Sequence, residues 1–200
     1  MRLLVISQYF WPESFRINEL VESLVKRGVV VDVLTGKPNY PEGKIYSGYQ
    51  AAGCMCEQWQ GASVFRVPLF PRGVKSGFRL ILNYLSFTLS GAILGAWQLR
   101  NIKSDIIFVY APSPLLQALP ALFIGWIKRI PVVVYVQDLW PESLAATGYV
   151  RNPLVIRMVE LLVKLIYRRS DLILVSSRPF KGSIERFSPS AEIVYYPNSV

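Results

Sequence analysis

Two runs of the chain, Leu3-Leu4-Val5-Ile6 and Val132-Val133-Val134-Tyr135-Val136, are apolar at every position instead of every second one. A strand with one wet face alternates, so these two are buried on both faces and belong in a parallel sheet covered by helices. The rest of the chain supplies the other elements. Strand-like stretches at Val29 to Leu34, Ser63 to Pro68, Asp105 to Tyr110, Asp171 to Ser176 and Glu192 to Tyr196 alternate with helical ones. The helical stretches are Phe15 to Arg27, Leu80 to Leu99, and those near Leu115 to Arg129, Pro153 to Arg169 and Pro179 to Phe187. In the first of them Ile17, Leu20, Val21, Leu24 and Val25 recur at helical spacing, and Gly28 ends it. Such alternation predicts right-handed βαβ units and a doubly wound, mostly parallel seven-stranded α/β sheet in the order 3-2-1-4-5-6-7. Thr35 to Ala62, rich in Gly, Pro and Tyr, reads as irregular. A chain of 200 residues suits one domain spanning 1–200.

Both apolar runs lead into the same heptapeptide pattern, Gln-x-x-Trp-Pro-Glu-Ser, at Gln8 to Ser14 and again at Gln137 to Ser143. In open α/β sheets ligands bind beyond the carboxyl ends of the strands. The repeat therefore puts a carboxylate (Glu13, Glu142) and an indole (Trp11, Trp140) twice on that rim, and Trp11 and Trp140 are expected to open onto one cavity shared with Asp138. The alternative is helix-start chemistry: Pro in the first turn, Glu at the positive helix end, Trp packed below. Arg16 lies just inside the first helix, where a cation opposes the dipole, so either an anionic ligand or solvent balances it.

Several chemistries are excluded. No G-x-G-x-x-G follows the first strand and no acid ends the second, which rules out dinucleotide binding; neither a P-loop nor a G-x-S-x-G elbow occurs. The chain has no histidine, hence neither the commonest general base nor the commonest zinc ligand, and no metal site is expected. Cys54 and Cys56 are too close for a disulfide and have no second pair to complete a zinc site, which fits a reducing, cytoplasmic compartment. The amino terminus enters a strand at once, without the sections of a signal peptide.

The residues resemble a family. Arg2 to Tyr9 followed by Trp-Pro-Glu, Arg27-Gly28 before Val31-Asp32-Val33-Leu34-Thr35-Gly36, and Pro38-Asn39-Tyr40-Pro41-Glu42-Gly43 are similar to bacterial family 4 glycosyltransferases. So are Tyr110-Ala111-Pro112-Ser113-Pro114, Asp138-Leu139-Trp140-Pro141-Glu142-Ser143 and the terminal Pro197-Asn198-Ser199-Val200. The branch they resemble builds colanic acid and O-antigen and includes proteins assigned as fucosamine transferases. The resemblance implies the N-terminal, Rossmann-like, acceptor-binding half of a GT-B enzyme, the donor-binding C-terminal domain lying outside this chain. It implies retaining transfer from a nucleotide-sugar, a UDP-sugar, to a lipid-linked glycan in surface polysaccharide biosynthesis, with no metal cofactor. The 200-residue chain alone is then expected to be inactive. The alternative is a stand-alone binding module for lipid-linked glycan, or a membrane-docking partner subunit. Tyr9, Phe10 and Trp11 stand where many members have a glycine-rich turn, and Gln137 and Asp138 stand near the position of a family histidine. Asp138 and Glu13 become the catalytic candidates, with Tyr9, Trp11, Arg16, Asn39, Tyr40, Trp140 and Glu142 as acceptor contacts.

Charge adds a partner. Lys and Arg exceed Asp and Glu by +9, and between Glu57 and Asp105 there is no acidic residue, while Arg66, Arg72, Lys75, Arg79, Arg100 and Lys103 fall inside. Arg72, Lys75 and Arg79 sit beside Phe70, Phe78, Leu80 and Ile81, a mixture that suits an anionic bilayer or a lipid diphosphate. A peripheral place on the cytoplasmic face of the inner membrane is expected, contacted by Arg72, Lys75, Phe78 and Arg79; no nucleic-acid motif is present. The uncharged stretch Leu80 to Leu99 has the length of a membrane span, with Gly91 and Gly95 in G-x-x-x-G spacing, but its Asn83, Ser86, Thr88, Ser90 and Gln98 favour a buried or membrane-grazing helix.

Overall fold

The computed structural model describes residues 1–74, 76–143 and 152–198; the expected membrane contact Lys75 lies outside them. Eight strands form one sheet: β1 (Arg2–Ile6), β2 (Val30–Gly36), β3 (Met55–Trp59), β4 (Ala62–Val67), β5 (Ile106–Ala111), β6 (Val132–Val136), β7 (Leu172–Val175) and β8 (Ile193–Tyr195). Their order is β3-β4-β2-β1-β5-β6-β7-β8, and every pairing except β3 with β4 is parallel. Seven strands thus take the expected order, with the switch between β1 and β5.

The eighth strand corrects the reading of Thr35 to Ala62 as wholly irregular. Met55 to Trp59 turns back through Gln60 (φ 47) and Gly61 (φ 85) and pairs antiparallel with β4. Two positive φ values in a two-residue loop match the right-handed twist of the flanking strands, and glycine adopts such a φ without the steric cost a Cβ brings. The Gln-Gly dipeptide was the available signal.

Both faces of the central strands are covered, as their lack of alternation requires. Leu4 and Ile6 point into one core, Leu3 and Val5 into the other. On the second face lies α1 (Arg16–Lys26), burying Ile17 and Val21. The first face carries α2 (Gly77–Ser90), α4 (Ala118–Lys128), α5 (Pro153–Arg169) and α6 (Phe180–Phe187). Asn152 caps α5, its side chain accepting from Leu154 N at 2.9 Å, and Pro153 occupies the first turn, where its missing N–H is harmless.

From α2 the chain passes through a π-helical turn, Gly91–Gly95, into the short α3 (Ala96–Gln98). The resulting Gly77–Gln98 is long and apolar enough to cross a membrane by length and composition, yet here it packs on the sheet. Its glycines explain how. A Cβ on Gly95 would stand 2.7 Å from a Leu34 methyl, and one on Gly91 would stand 3.2 Å from Pro120, so G-x-x-x-G lets this helix approach β2 and α4. Gly95→Ala is expected to cost about 1–3 kcal/mol through overpacking. Gly77→Ala, which meets nothing within 4 Å, should be neutral or slightly stabilising; thermal melts of both variants check the contrast.

Candidate functional site

At the carboxyl rim, the loops after β1, β2, β5 and β6 each turn through a cis X-Pro bond: Trp11-Pro12, Tyr40-Pro41, Ser113-Pro114 and Trp140-Pro141. The two heptapeptides share this geometry, but the first copy is not a helix start. Its Pro12 lies in a turn well ahead of α1, which begins at Arg16.

Glu13 is turned inward and is 1% exposed. One carboxyl oxygen accepts the N–H groups of Asn39 (2.8 Å) and Tyr40 (2.7 Å), and the other that of Phe10 (3.2 Å). Burial pushes its carboxyl up to about 7, against the pull of the three N–H groups and the Arg66 guanidinium. Arg66, itself fully buried, ties the same corner. It donates to Glu57 (2.6 Å), to Gly36 O (3.0 Å) and to Trp11 O.

Beside this brace runs a buried amide network. Gln8 N donates to Gln117 Oε1 at 2.8 Å, and Gln8 Nε2 to Asn83 Oδ1 at 2.7 Å. Asn83 Nδ2 donates to Phe70 O (2.6 Å) and Asn39 Oδ1 (3.2 Å), and Asn39 Oδ1 also accepts from Arg72 N at 3.0 Å. These bonds join the loops after β1, β2 and β4 to α2 and to the 3-10 turn Leu115–Gln117 ahead of α4.

The expected catalytic and acceptor residues separate accordingly. The catalytic candidate Glu13 and the expected acceptor contacts Asn39, Tyr9 and Trp140 are corrected, because all four are buried and an acceptor cannot reach them as they stand. Glu13 and Asn39 are the brace and network just described. Tyr9 is buried, stacked on Phe15 with ring centroids 5.1 Å apart, and donates to Asn83 Oδ1 at 3.3 Å. Trp140 is 6% exposed within the main core. Trp11, by contrast, is half exposed and stacks on Trp59 of β3 at 5.9 Å. The two indoles therefore occupy different surroundings instead of one cavity shared with Asp138.

The remaining candidates stay accessible. Asp138 is partly exposed, and its Oδ1 accepts from Ser143 Oγ. Glu142 and Arg16 are exposed. Arg16 bears on the Tyr110 and Tyr135 phenols, neighbours of α1's face. Tyr40 is partly exposed beneath the Arg72 guanidinium, 4.8 Å from its ring centroid. Tyr84 of α2 links the two charged groups: burial raises its phenol, the Arg72 cation opposes that rise, and the Asp138 anion adds to it. Tyr84 thus feels the field of both the Arg72 cation, on the loop after β4, and the Asp138 anion, on the loop after β6. No group of three or more Cys, Asp or Glu side chains placed to hold a metal ion occurs among the described residues.

Tyr84, Gln8, Asn83 and Gln117 were missed as site residues. Gln8 belonged to the repeated pattern, and Asn83 was a polar residue in an otherwise apolar helix; Tyr84 and Gln117 gave no signal, because only the fold brings them to the rim.

The sequence pattern of the glycosyl transferase 4-like domain matches residues 14–199. The chain belongs to the glycosyl transferase 4-like family. It is 23% identical over 206 residues to WcaI of Escherichia coli (strain K12), named as a colanic acid biosynthesis glycosyl transferase, a match covering 99% of this chain and 50% of that one. Among solved structures, sucrose-phosphate synthase from Thermosynechococcus elongatus is similar with a TM-score of 0.62 at 16% identity, over 100% of this chain and 48% of that one. The E. coli trehalose-6-phosphate structure bound with UDP-2-fluoro glucose has a TM-score of 0.58 at 12% identity, over 98% of this chain and 48% of that one. The chain spans about half the length of the curated relative it matches. These likenesses show the fold, the N-terminal Rossmann-like half of the GT-B architecture.

In this glycosyl transferase 4-like domain the Glu13 brace is open to test. Glu13→Gln sets an amide N–H against the Phe10 N–H and should cost about 1–3 kcal/mol. The wild-type carboxyl is raised from 4.5 to about 7 on folding, so between those values the native state binds more protons than the unfolded one. Wild-type stability should therefore fall as pH rises from 4.5 through about 7, and Glu13→Gln should lack that component; urea denaturation across this range measures it.

Proposed function

We propose that this chain is the acceptor-side half of a retaining glycosyltransferase that moves a sugar from a UDP-sugar to a lipid-linked glycan in surface polysaccharide assembly. The observation that carries the proposal is the carboxyl rim of a glycosyl transferase 4-like domain, where the partly exposed Asp138 follows β6 and Arg72, after β4, lies over Tyr40, both acting on the Tyr84 phenol. Ligands of open α/β sheets lie there. Bound UDP-2-fluoro glucose in the similar trehalose-6-phosphate structure and the colanic acid name of WcaI support the donor and product classes.

In this reading the Asp138 carboxylate accepts a hydrogen bond from the attacking acceptor hydroxyl and orients it. Arg72 places positive charge where phosphate charge develops or where a lipid diphosphate lies, the kind of preorganised electrostatic stabilisation that group transfer needs. Glu142 and Arg16, both exposed, are acceptor contacts in this reading, and Trp11 extends the rim towards β3. The donor sugar is held by a second domain outside these residues, and the whole protein works at the cytoplasmic face of the inner membrane.

A transfer assay of the full-length protein against a panel of UDP-sugars and lipid-linked acceptors tests the proposal. One donor and acceptor pair should give product with the anomeric configuration of the donor retained. Asp138→Asn should lower kcat by about 10²–10⁴-fold, the range for loss of a positioned acid or base, with little change in thermal stability. Transfer at the wild-type rate by Asp138→Asn would remove Asp138 from the mechanism, and absence of transfer with every pair would leave the binding module as the better description.

A further inference from the structure

The helix layer on the first face of the sheet has an outer surface that the transfer reaction does not use. Along Gly77–Gln98, Phe78, Ile81, Leu85, Leu89, Ile93 and Trp97 all stand exposed, one stripe running the full length of the helix. Only 22% of its most apolar window is buried. α4 lies between this helix and α5 and exposes Phe123, Trp126 and Ile127, Trp126 to 75%. α5 continues the surface with Leu154, Met158, Leu161 and Leu165. Three adjacent helices thus turn apolar side chains outward, a patch larger than soluble monomers usually leave in water.

Charge around the patch is predominantly positive. Among these helices Glu160 is the only acidic residue, against Arg79, Lys128, Arg157, Lys164, Arg168 and Arg169. All three helices run from the carboxyl rim of the sheet towards its amino end. Arg79 stands at the first end, and the exposed Arg100, Arg129 and Arg169 stand at the second. At that second end a cavity of about 500 Å³ opens between α4 and α5, lined by Trp126, Arg129, Ile130, Arg169 and Asp171 among others. Asp171 is already engaged, accepting from Val132 N at 2.7 Å. The carbonyl ends of both helices oppose an anion there, so any phosphate in this recess is held by the two guanidinium groups and not by backbone.

We propose that the outer face of the α2, α4 and α5 layer is a membrane-docking surface, lying flat on an anionic bilayer with a lipid phosphate in the recess between Arg129 and Arg169. Apolar side chains enter the interface while cations at both ends meet headgroups, the arrangement of interfacial helices. A second copy of this chain is a poor occupant. A two-fold pairing brings the patch against itself, setting its cations against their own copies with Glu160 alone to offset them. The inference rests on the membrane location in the proposed function, but not on the acceptor being lipid-linked. It extends the contact from the segment around Arg72 and Arg79 to the whole helix layer.

Flotation of the full chain with phosphatidylcholine vesicles, with and without phosphatidylglycerol, tests it without any acceptor or donor present. Wild type should float, more strongly with phosphatidylglycerol, and brominated lipid should quench an emission that Trp97→Phe and Trp126→Phe each diminish. Leu89→Glu with Ile93→Glu should abolish flotation with the thermal melt unchanged, since both side chains face outward. Arg129→Gln and Arg169→Gln should each weaken binding to phosphatidylglycerol vesicles about fivefold, the effect of one basic residue near the surface, and leave phosphatidylcholine binding alone. Unchanged flotation of all these variants, with loss only on Arg72 reversal, would overturn the proposal in favour of the loop. A wild-type dimer that Leu89→Glu with Ile93→Glu converts to a vesicle-blind monomer would assign the face to self-association. Inorganic phosphate bound at the recess without any flotation would make it a soluble anion site and also overturn it. Transfer to acceptor without flotation sinks this inference alone; flotation without transfer sinks the proposed reaction alone.

Discussion

The rim depends on one buried carboxylate. Glu13 sits on the first loop of the sheet and accepts N–H groups from its own turn and from the loop after β2. Without it those backbone donors would be buried unpaired, each at a cost of about 1–3 kcal/mol. Fixing Asn39 in this way sets up the next step. The Asn39 amide then holds Arg72 N and Asn83, and Asn83 holds Gln8. Since Tyr84 follows Asn83 on α2, the placement of Arg72 and Tyr84 at the rim descends from this chain of buried hydrogen bonds. Networks of this kind specify one arrangement because a partly satisfied version is worse than none.

The sheet was legible because burial on both faces leaves a plain mark. Runs such as Val132 to Val136 have no polar position, and a parallel strand between two helix layers is the one place that tolerates this. The helices were legible by period, and α5 to its very ends, because Asn152 and Pro153 mark its start and Arg169 its last turn. β3 escaped because it is an edge strand of mixed burial, whose only mark was the Gln60-Gly61 turn. At the site, residue type was the wrong guide. Glu13, Tyr9 and Asn39 have the side chains of binding residues, but whether such a group faces ligand or backbone is decided by contacts far apart in sequence, such as Glu13 with Asn39 and Asn83 with Gln8.

The twin heptapeptides make the same point within one chain. Both follow strands buried on two faces, and both contain a cis Trp-Pro bond. Yet Glu13 is buried and Glu142 exposed, while Trp11 is exposed and Trp140 buried. The difference lies in the neighbours. Beyond β1 stand the β2 loop, with its free backbone N–H groups, and Arg66, whose guanidinium draws a carboxylate inward and binds the Trp11 carbonyl. Beyond β6 stands the apolar layer of α4 and α5, where an indole is the better filling and a carboxylate turns to water. One local sequence thus yields two roles, a brace on one side of the switch and an accessible acid beside Asp138 on the other.

The same helix layer that admits Trp140 also links the rim to the outer apolar face. α2 contributes Asn83 and Tyr84 to the rim on one side and Leu85 and Leu89 to the exposed stripe on the other. A helix of 3.6 residues per turn separates neighbours in sequence by about 100°, so adjacent residues serve the two surfaces. Both surfaces are fixed to one rigid helix, and that helix is fixed to β2 and α4 through Gly95 and Gly91. A bilayer held against the stripe therefore sets the height and tilt of Arg72, Tyr84 and Asp138 above it. An acceptor anchored in that bilayer by its lipid would reach them along the exposed Phe70, Val74 and Phe78, where the apolar face meets the rim.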